Sequence, residues 1–278
     1  MALSSVRKTE VDAAMELKPL SSPVNGRLWG ARARDWADIQ EGQVKPVYEA
    51  ALQRTGVGPG TRYLDVGCGA GLAAQLAAAR GARVSGIDAA EAMIAIGREN
   101  APDSEFHVGD LEALPFADAA FDVVTGFNAF QYAANPTVAL REAGRVTSAG
   151  GWIVVMTWGP PDGMPAASMV KALGPLLPAP PPGAPGPFAL SDEATLKAFV
   201  ADAGLEPIEV FDVGCQWAYA DEATAIRAFN SAGVATRAME HSGEAAVTEA
   251  HREALAQFRQ ADGRYLIDAS FRCLLARP

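Results

Sequence analysis

Cysteine is scarce: Cys68, Cys215 and Cys273 are the only three in 278 residues, an odd number, widely spaced and without a CxxC pair. That excludes a disulfide framework and a zinc ribbon, and a reducing, cytoplasmic setting fits it best. Histidine is as sparse, with only His107, His241 and His251 and no HxxxH spacing, so no cluster reads as a metal site and no metal is expected. No apolar run reaches 18 residues. The first twenty residues carry Arg7, Lys8, Glu10, Asp12 and Glu16 where a signal peptide would need an apolar stretch. Neither a membrane span nor a secretion signal can be read. Basic residues are outnumbered, 23 Lys+Arg against 33 Asp+Glu, for a net charge of −10. An acidic surface repels phosphate backbones and anionic lipid, so no nucleic-acid or membrane partner is expected.

What is present is ordinary globular composition, 49% apolar and 20% charged, which excludes a chain disordered throughout. The length allows one large α/β domain or two small ones. Residues 1–22 are polar, end at Ser21-Ser22-Pro23 and read as a disordered arm. From Trp29 the spacing changes: Trp29, Ala33, Trp36, Ile39 and then Val44, Val47, Tyr48, Ala51 and Leu52 recur at three and four residues, which predicts two amphipathic helices. Strands are then expected at 62–66, 83–87, 104–108, 121–126 and 151–157, with helices at 70–80, 91–99 and 136–147. That alternation argues for βαβ units and a parallel sheet. Residues 159–187 hold ten of the nineteen prolines and read as an irregular loop. A helix capped at Ser191-Asp192 and running to Gly204, a strand at 207–217, a helical segment at 221–260 and a strand at 264–276 complete the chain.

The most informative stretch is Tyr63-Leu64-Asp65-Val66-Gly67-Cys68-Gly69-Ala70-Gly71, a strand ending in three glycines two apart and entering a helix. Glycines there let the backbone turn tightly and approach a ligand, with helix amides behind them as donors. A dinucleotide loop of G-x-G-x-x-G type would need its third glycine at position 72, where Leu72 stands, so a dehydrogenase is disfavoured. Asp65 sits where a pyrophosphate would approach; a carboxylate repels phosphate and pairs with an amine, so the ligand should carry a positive group. Asp88 follows Gly67 by 21 residues, the interval for an acid that accepts from ribose hydroxyls, although it could also cap the helix at 91–99. Asp110, after Phe106-His107-Val108-Gly109, is the third acid at a strand end. Three such acids point to one crevice.

In order, Leu64-Asp65-Val66-Gly67-Cys68-Gly69-Ala70-Gly71, Gly86-Ile87-Asp88, Gly109-Asp110-Leu111-Glu112-Ala113-Leu114-Pro115-Phe116 and Phe121-Asp122-Val123-Val124 resemble the motifs of class I S-adenosylmethionine-dependent methyltransferases, closest to the quinone and small-molecule group. The resemblance covers roughly residues 25–160. It implies an α/β, Rossmann-like, doubly wound seven-stranded sheet of order 3-2-1-4-5-7-6 with the last strand antiparallel. N-terminal cover helices and a single domain over 23–278 are expected, with lid segments at 159–187, the proline-rich loop, and 221–260, the helical segment, where the resemblance weakens. By the same resemblance S-adenosyl-L-methionine is the cofactor: Asp65, Gly67, Cys68, Gly69 and Gly71 meet its methionine moiety, Asp88 takes the ribose, Ala89 and Met93 flank the adenine, and Gly109, Asp110 and Leu111 close its pocket. Trp29 and Trp36 are similar to an aromatic cover helix in which tyrosine is commoner.

The implied reaction is methyl transfer to a small, largely apolar, aromatic or polyketide-like acceptor by in-line displacement, with the nucleophile held at near-attack distance. Phe127, Asn128 and Tyr132 follow the fourth strand, Trp158 the fifth and Trp217 the sixth. Ligands of open α/β sheets bind outside these carboxyl ends, which makes Phe127 a cofactor contact and Asn128, Tyr132, Trp158 and Trp217 acceptor contacts. Tyr132 and His241 are the candidate catalytic groups, His241 because it ends a helix in the segment expected to fold over the crevice; His107 reads as structural and His251 as solvated. Cyclisation or decarboxylation on the same fold, or a non-catalytic cofactor-binding module, remain open alternatives. A monomer or homodimer is expected.

Overall fold

Short apolar runs such as Tyr63-Leu64-Asp65-Val66 become strands because helices cover both of their faces, and each of these four residues is buried. The computed structural model describes residues 21–180 and 186–278. Its sheet has seven strands: β1 Arg62–Val66, β2 Arg83–Asp88, β3 Glu105–Val108, β4 Phe121–Phe127, β5 Thr147–Trp158, β6 Glu206–Tyr219 and β7 Tyr265–Arg277. Their order is β3-β2-β1-β4-β5-β7-β6. The first five run parallel, and β7 is antiparallel to both β5 and β6. This is the expected α/β topology, and it places the ends of β1, β2 and β4 beside one another, since β1 pairs with both β2 and β4.

The connections are α1 Ser22–Gly30, α2 Lys45–Arg54, α3 Leu72–Ala78, α4 Glu91–Asn100, α5 Pro136–Val146, α6 Ala167–Ala172, α7 Glu193–Asp202, α8 Glu222–Asn230, α9 Gly233–Ser242 and α10 Glu244–Leu255. Side-chain caps start three of them: Asn135 accepts from the Val138 N–H, Asp192 from Thr195 and Asp221 from Thr224. On one side of the sheet, Val47, Tyr48 and Ala51 of α2 join Trp217, Phe229 and Phe271 in the core; on the other, α5 and α7 pack on β4 and β5.

The structure departs from the expected elements in three places. Of the expected arm, residues 1–20 lie outside the described residues, but Ser22 is already helical and its N–H donates to Asp110 Oδ2 at 2.9 Å. The proline-rich stretch contains α6 and a 3-10 turn at Gly174–Leu176, because its prolines flank Ala167–Ala172 instead of interrupting it; residues 181–185 lie outside the described residues. The helical segment at 221–260 is three helices, broken after Asn230 and again at Gly243, whose φ of 89° no L side chain adopts readily. Among the described residues no helix is long and apolar enough to cross a membrane.

Candidate active site

The loop after β1 is built from positive-φ glycines, with φ of 69° at Gly67, 54° at Gly69 and 86° at Gly71. A β-carbon on Gly67 would stand 2.5 Å from Ala129 Cβ, and one on Gly69 would stand 2.9 Å from Glu41 Oε1. The loop is thus pressed between β4's end and the N-terminal segment that passes over it. Gly69 N–H donates to Asp88 Oδ2 at 3.0 Å, and Ala90 N–H donates to Asp88 Oδ1 at 2.8 Å. Asp88 therefore joins the β1 and β2 loops as well as facing the crevice.

Two further carboxylates lie beneath. Asp65 is buried, and Thr125 Oγ1 donates to its Oδ1 at 2.8 Å; Tyr63 OH lies 2.6 Å from the same hydroxyl, which makes a relay from Tyr63 through Thr125 to Asp65. Burial pushes the Asp65 carboxyl up to about 7, against the lowering effect of Thr125. Glu41 is also buried and accepts from the Ala70 N–H at 3.1 Å. Burial, then the neighbouring Asp65 charge, pushes it up to about 8, opposed by the amides of Leu72 and Ala70. Asp88 is raised as well, chiefly by desolvation. Three carboxyls that ionise reluctantly around one loop form a site that a cationic ligand would complete.

One cavity of about 850 Å³ runs from this loop to the far end of the sheet. At one end Trp29, Trp36, Gly67, Gly69, Asp88 and Ala89 line it, with Met93, Gly109, Asp110 and Leu111 beside them. Trp29 and Trp36 meet edge to face at 5.0 Å and pack with buried Met93 and Ala90. Phe127, 4.5 Å from Tyr48 between ring centres, marks the middle. Asn128 follows it at φ 51°, with its N–H donating to Met156 O and its Oδ1 accepting from Gln131. Trp158 and Trp217 line the other end, 5.9 Å apart, with Phe229 and Phe271 against Trp217. Such aromatic pairs contribute about 0.5–1.5 kcal/mol each beyond the area they bury.

Several expected site residues sit elsewhere. Tyr132 lines the cavity, but at the Trp29 end, its ring 5.6 Å from that indole, because the 3-10 turn Phe130–Tyr132 carries it back over α1. Cys68 turns behind the loop toward Gly86 and Phe106, and burial raises its thiol well above the usual range. Gly71 caps α3 and is a packing residue: a β-carbon there would stand 3.1 Å from both Gly97 Cα and Phe106 Cζ. Asp65 lies under the loop and not in the cavity wall. His241 requires correction, being exposed on the last turn of α9 and absent from the cavity lining. The expectation of a solvated His251 is also corrected. It is 1% exposed and lines the cavity, because Val247, His251 and Leu255 form one face of α10 at four-residue spacing, a signal readable in the sequence. Glu41 had no such signal; only the chain's path over the loop brings it there.

Residues 64–155 match the family described as a methyltransferase domain. The chain is 38% identical over 129 residues to a malonyl-[acyl-carrier protein] O-methyltransferase of Erwinia pyrifoliae, covering 46% of this chain and 49% of that protein. It is 36% identical over 123 residues to a demethylmenaquinone methyltransferase of Renibacterium salmoninarum, covering 44% and 52%. The chain spans about half the length of the relatives it matches. Among solved structures the [4+2]-cyclase SpnF superposes with a TM-score of 0.53 at 21% identity, over 83% of this chain and 79% of that one, a likeness of fold. Residues 64–155 are thus similar to a methyltransferase domain, and the strand order is the one expected for the S-adenosylmethionine-dependent fold. The residues present fit S-adenosylmethionine by their chemistry: a loop without β-carbons, a half-buried Asp88 beside it that can accept from hydroxyls, an aromatic cover of Trp29 and Trp36, and buried acids beneath that suit a cationic amine.

Proposed function

We propose that the protein transfers a methyl group from S-adenosylmethionine to a small, largely apolar acceptor, aromatic or polyketide-like. The observation that carries this reading is the single cavity that joins the glycine loop and Asp88 to the aromatic wall of Trp158, Trp217, Phe229 and Phe271. An acidic glycine cradle suits a cationic cofactor, while an apolar wall suits an acceptor without phosphate. When bound, the cofactor supplies a methyl already activated on a sulfonium. The chain's task is to orient the acceptor in line and exclude water.

In this reading Trp29, Trp36 and Tyr132 cover the adenosine, and Asp88 accepts from the ribose hydroxyls. Asp110, held by the N–H groups of Ser22 and Glu112, keeps the adenine end closed. Phe127 and Asn128 stand between the two halves, and Trp158 and Trp217 grip the acceptor. The segments at 159–187 and 221–260 form the cover and set acceptor choice. Ion pairs that tie the N-terminal segment to this cover support the arrangement: Arg27 with Glu240, Arg32 with Glu244, and Asp35 with Arg227. The reading is of a monomer or homodimer working on a free small molecule, without nucleic acid.

Calorimetry with S-adenosylhomocysteine and label transfer from methyl-labelled S-adenosylmethionine to a panel of phenolic and polyketide-like compounds test this function. One-to-one binding with label in product is expected. No binding of either ligand overturns it, whereas binding without transfer to any member would favour the cyclase or binding-module alternatives.

A further inference from the structure

One group in the aromatic half of the cavity holds a hydrogen-bonding atom ready for a ligand, the imidazole of His251. His251 stands beyond Phe229, whose ring centre is 5.7 Å from Trp217 and 5.6 Å from His251; all three line the cavity.

The neighbours of His251 set up one tautomer. Buried Asn230 donates its Nδ2–H to Thr248 Oγ1 at 3.0 Å, and in that orientation its Oδ1 stands 2.7 Å from His251 Nδ1. An amide oxygen only accepts, so this orientation puts the proton on Nδ1 and leaves Nε2 its lone pair. Burial holds the ring neutral by pushing its pKa down to about 4. An acceptor nitrogen beside Phe229 complements one donor on a largely apolar molecule.

We propose that His251 recognises an ionisable hydroxyl on the acceptor, the hydroxyl donating to His251 Nε2. The inference rests on the methyl-transfer reading and deepens it: the acceptor carries a phenol or enol hydroxyl. Asn230 is the positioning residue that keeps Nε2 unprotonated.

The test uses the full chain saturated with S-adenosylhomocysteine and two probes, 1-naphthol and 1-methoxynaphthalene, which share shape and differ in the hydroxyl proton. Calorimetry should show 1-naphthol binding about threefold to tenfold tighter, the effect of one neutral hydrogen bond. His251→Phe should abolish that preference, and His251→Gln, which retains an accepting oxygen, should restore part of it. Trp217→Phe, which keeps an aromatic ring, should leave the preference in place. All three should leave S-adenosylhomocysteine affinity unchanged, which also reports that they fold. Nitrogen-15 NMR should find His251 protonated on Nδ1 in the wild type and no longer held in that form in Asn230→Ala. Equal binding of the two probes, binding of neither, a preference that survives His251→Phe, or a ring protonated on Nε2 would each overturn the inference. Failure of the wild type to bind S-adenosylhomocysteine would instead overturn the methyl-transfer reading.

Discussion

The Trp29 indole lies against the first residue of α9: a β-carbon on Gly233 would stand 2.7 Å from both Trp29 Cδ1 and Nε1. The aromatic cover beside the glycine loop and the helical segment after α8 therefore meet at a residue that has no side chain. Gly233→Val should push Trp29 aside, costing about 1–3 kcal/mol by overpacking and lowering S-adenosylhomocysteine affinity several-fold. Thermal unfolding and calorimetry measure the two effects. Unchanged affinity would mean that Trp29 does not touch the cofactor.

Asp88 holds the loop and lines the cavity, accepting from Gly69 and Ala90, and in the proposed reading it also takes the ribose hydroxyls. Charge-assisted hydrogen bonds contribute about 1.5–3 kcal/mol, so Asp88→Ala should weaken cofactor binding about 10- to 100-fold. Gly69→Val should be harsher, because a β-branched side chain resists φ 54° and would strike Glu41. Normal binding by Gly69→Val would place the ligand elsewhere.

Protonation of the buried acids sets a pH dependence whose sign is fixed. The Glu41 and Asp65 carboxyls are raised to about 8 and about 7, above their unfolded values near 4. Folding thus retains protons that the unfolded chain releases. Their contribution to stability is fully present below pH 4 and is lost as pH rises, until about pH 8. A cationic ligand favours the ionised forms, so binding of S-adenosylmethionine, which carries a sulfonium and an ammonium, should release protons near pH 7. Calorimetric enthalpies that vary with buffer ionisation heat detect the release; Glu41→Gln should diminish it.

Trp158 and Trp217 belong to the aromatic wall, so Trp158→Ala and Trp217→Ala should raise acceptor KM while cofactor affinity shifts by less than about 1 kcal/mol. Trp217→Ala should also cost about 3–5 kcal/mol of stability, as it empties a buried site. His241→Ala should change neither constant, since His241 is exposed outside the cavity. A kcat loss in His241→Ala would show that the cap rearranges to bring that residue in.

Turnover should be insensitive to EDTA. Among the described residues no group of three or more His, Cys, Asp or Glu side chains could hold a metal ion. Activity abolished by chelator and restored by a divalent cation would contradict this.

The order of the strand-end motifs determined much of this protein from sequence alone. Glycines at 67, 69 and 71, with Asp88 and Asp110 at the next two strand ends, sit next to their strands, and the parallel sheet aligns those ends whatever the rest does. A local signal also placed the cap at Asp192, where a short polar side chain needs only the next turn of helix. Tertiary structure alone decided the rest. Glu41 reaches Ala70 across 29 residues of chain, Trp29 reaches Gly233 across some 200, and Asn230 meets the His251 ring only because α8 and α10 pack together. A carboxylate such as Glu41 looks the same in sequence whether it meets water or a buried loop. Its burial, its protonation and so its chemistry are set by what the folded chain lays over it.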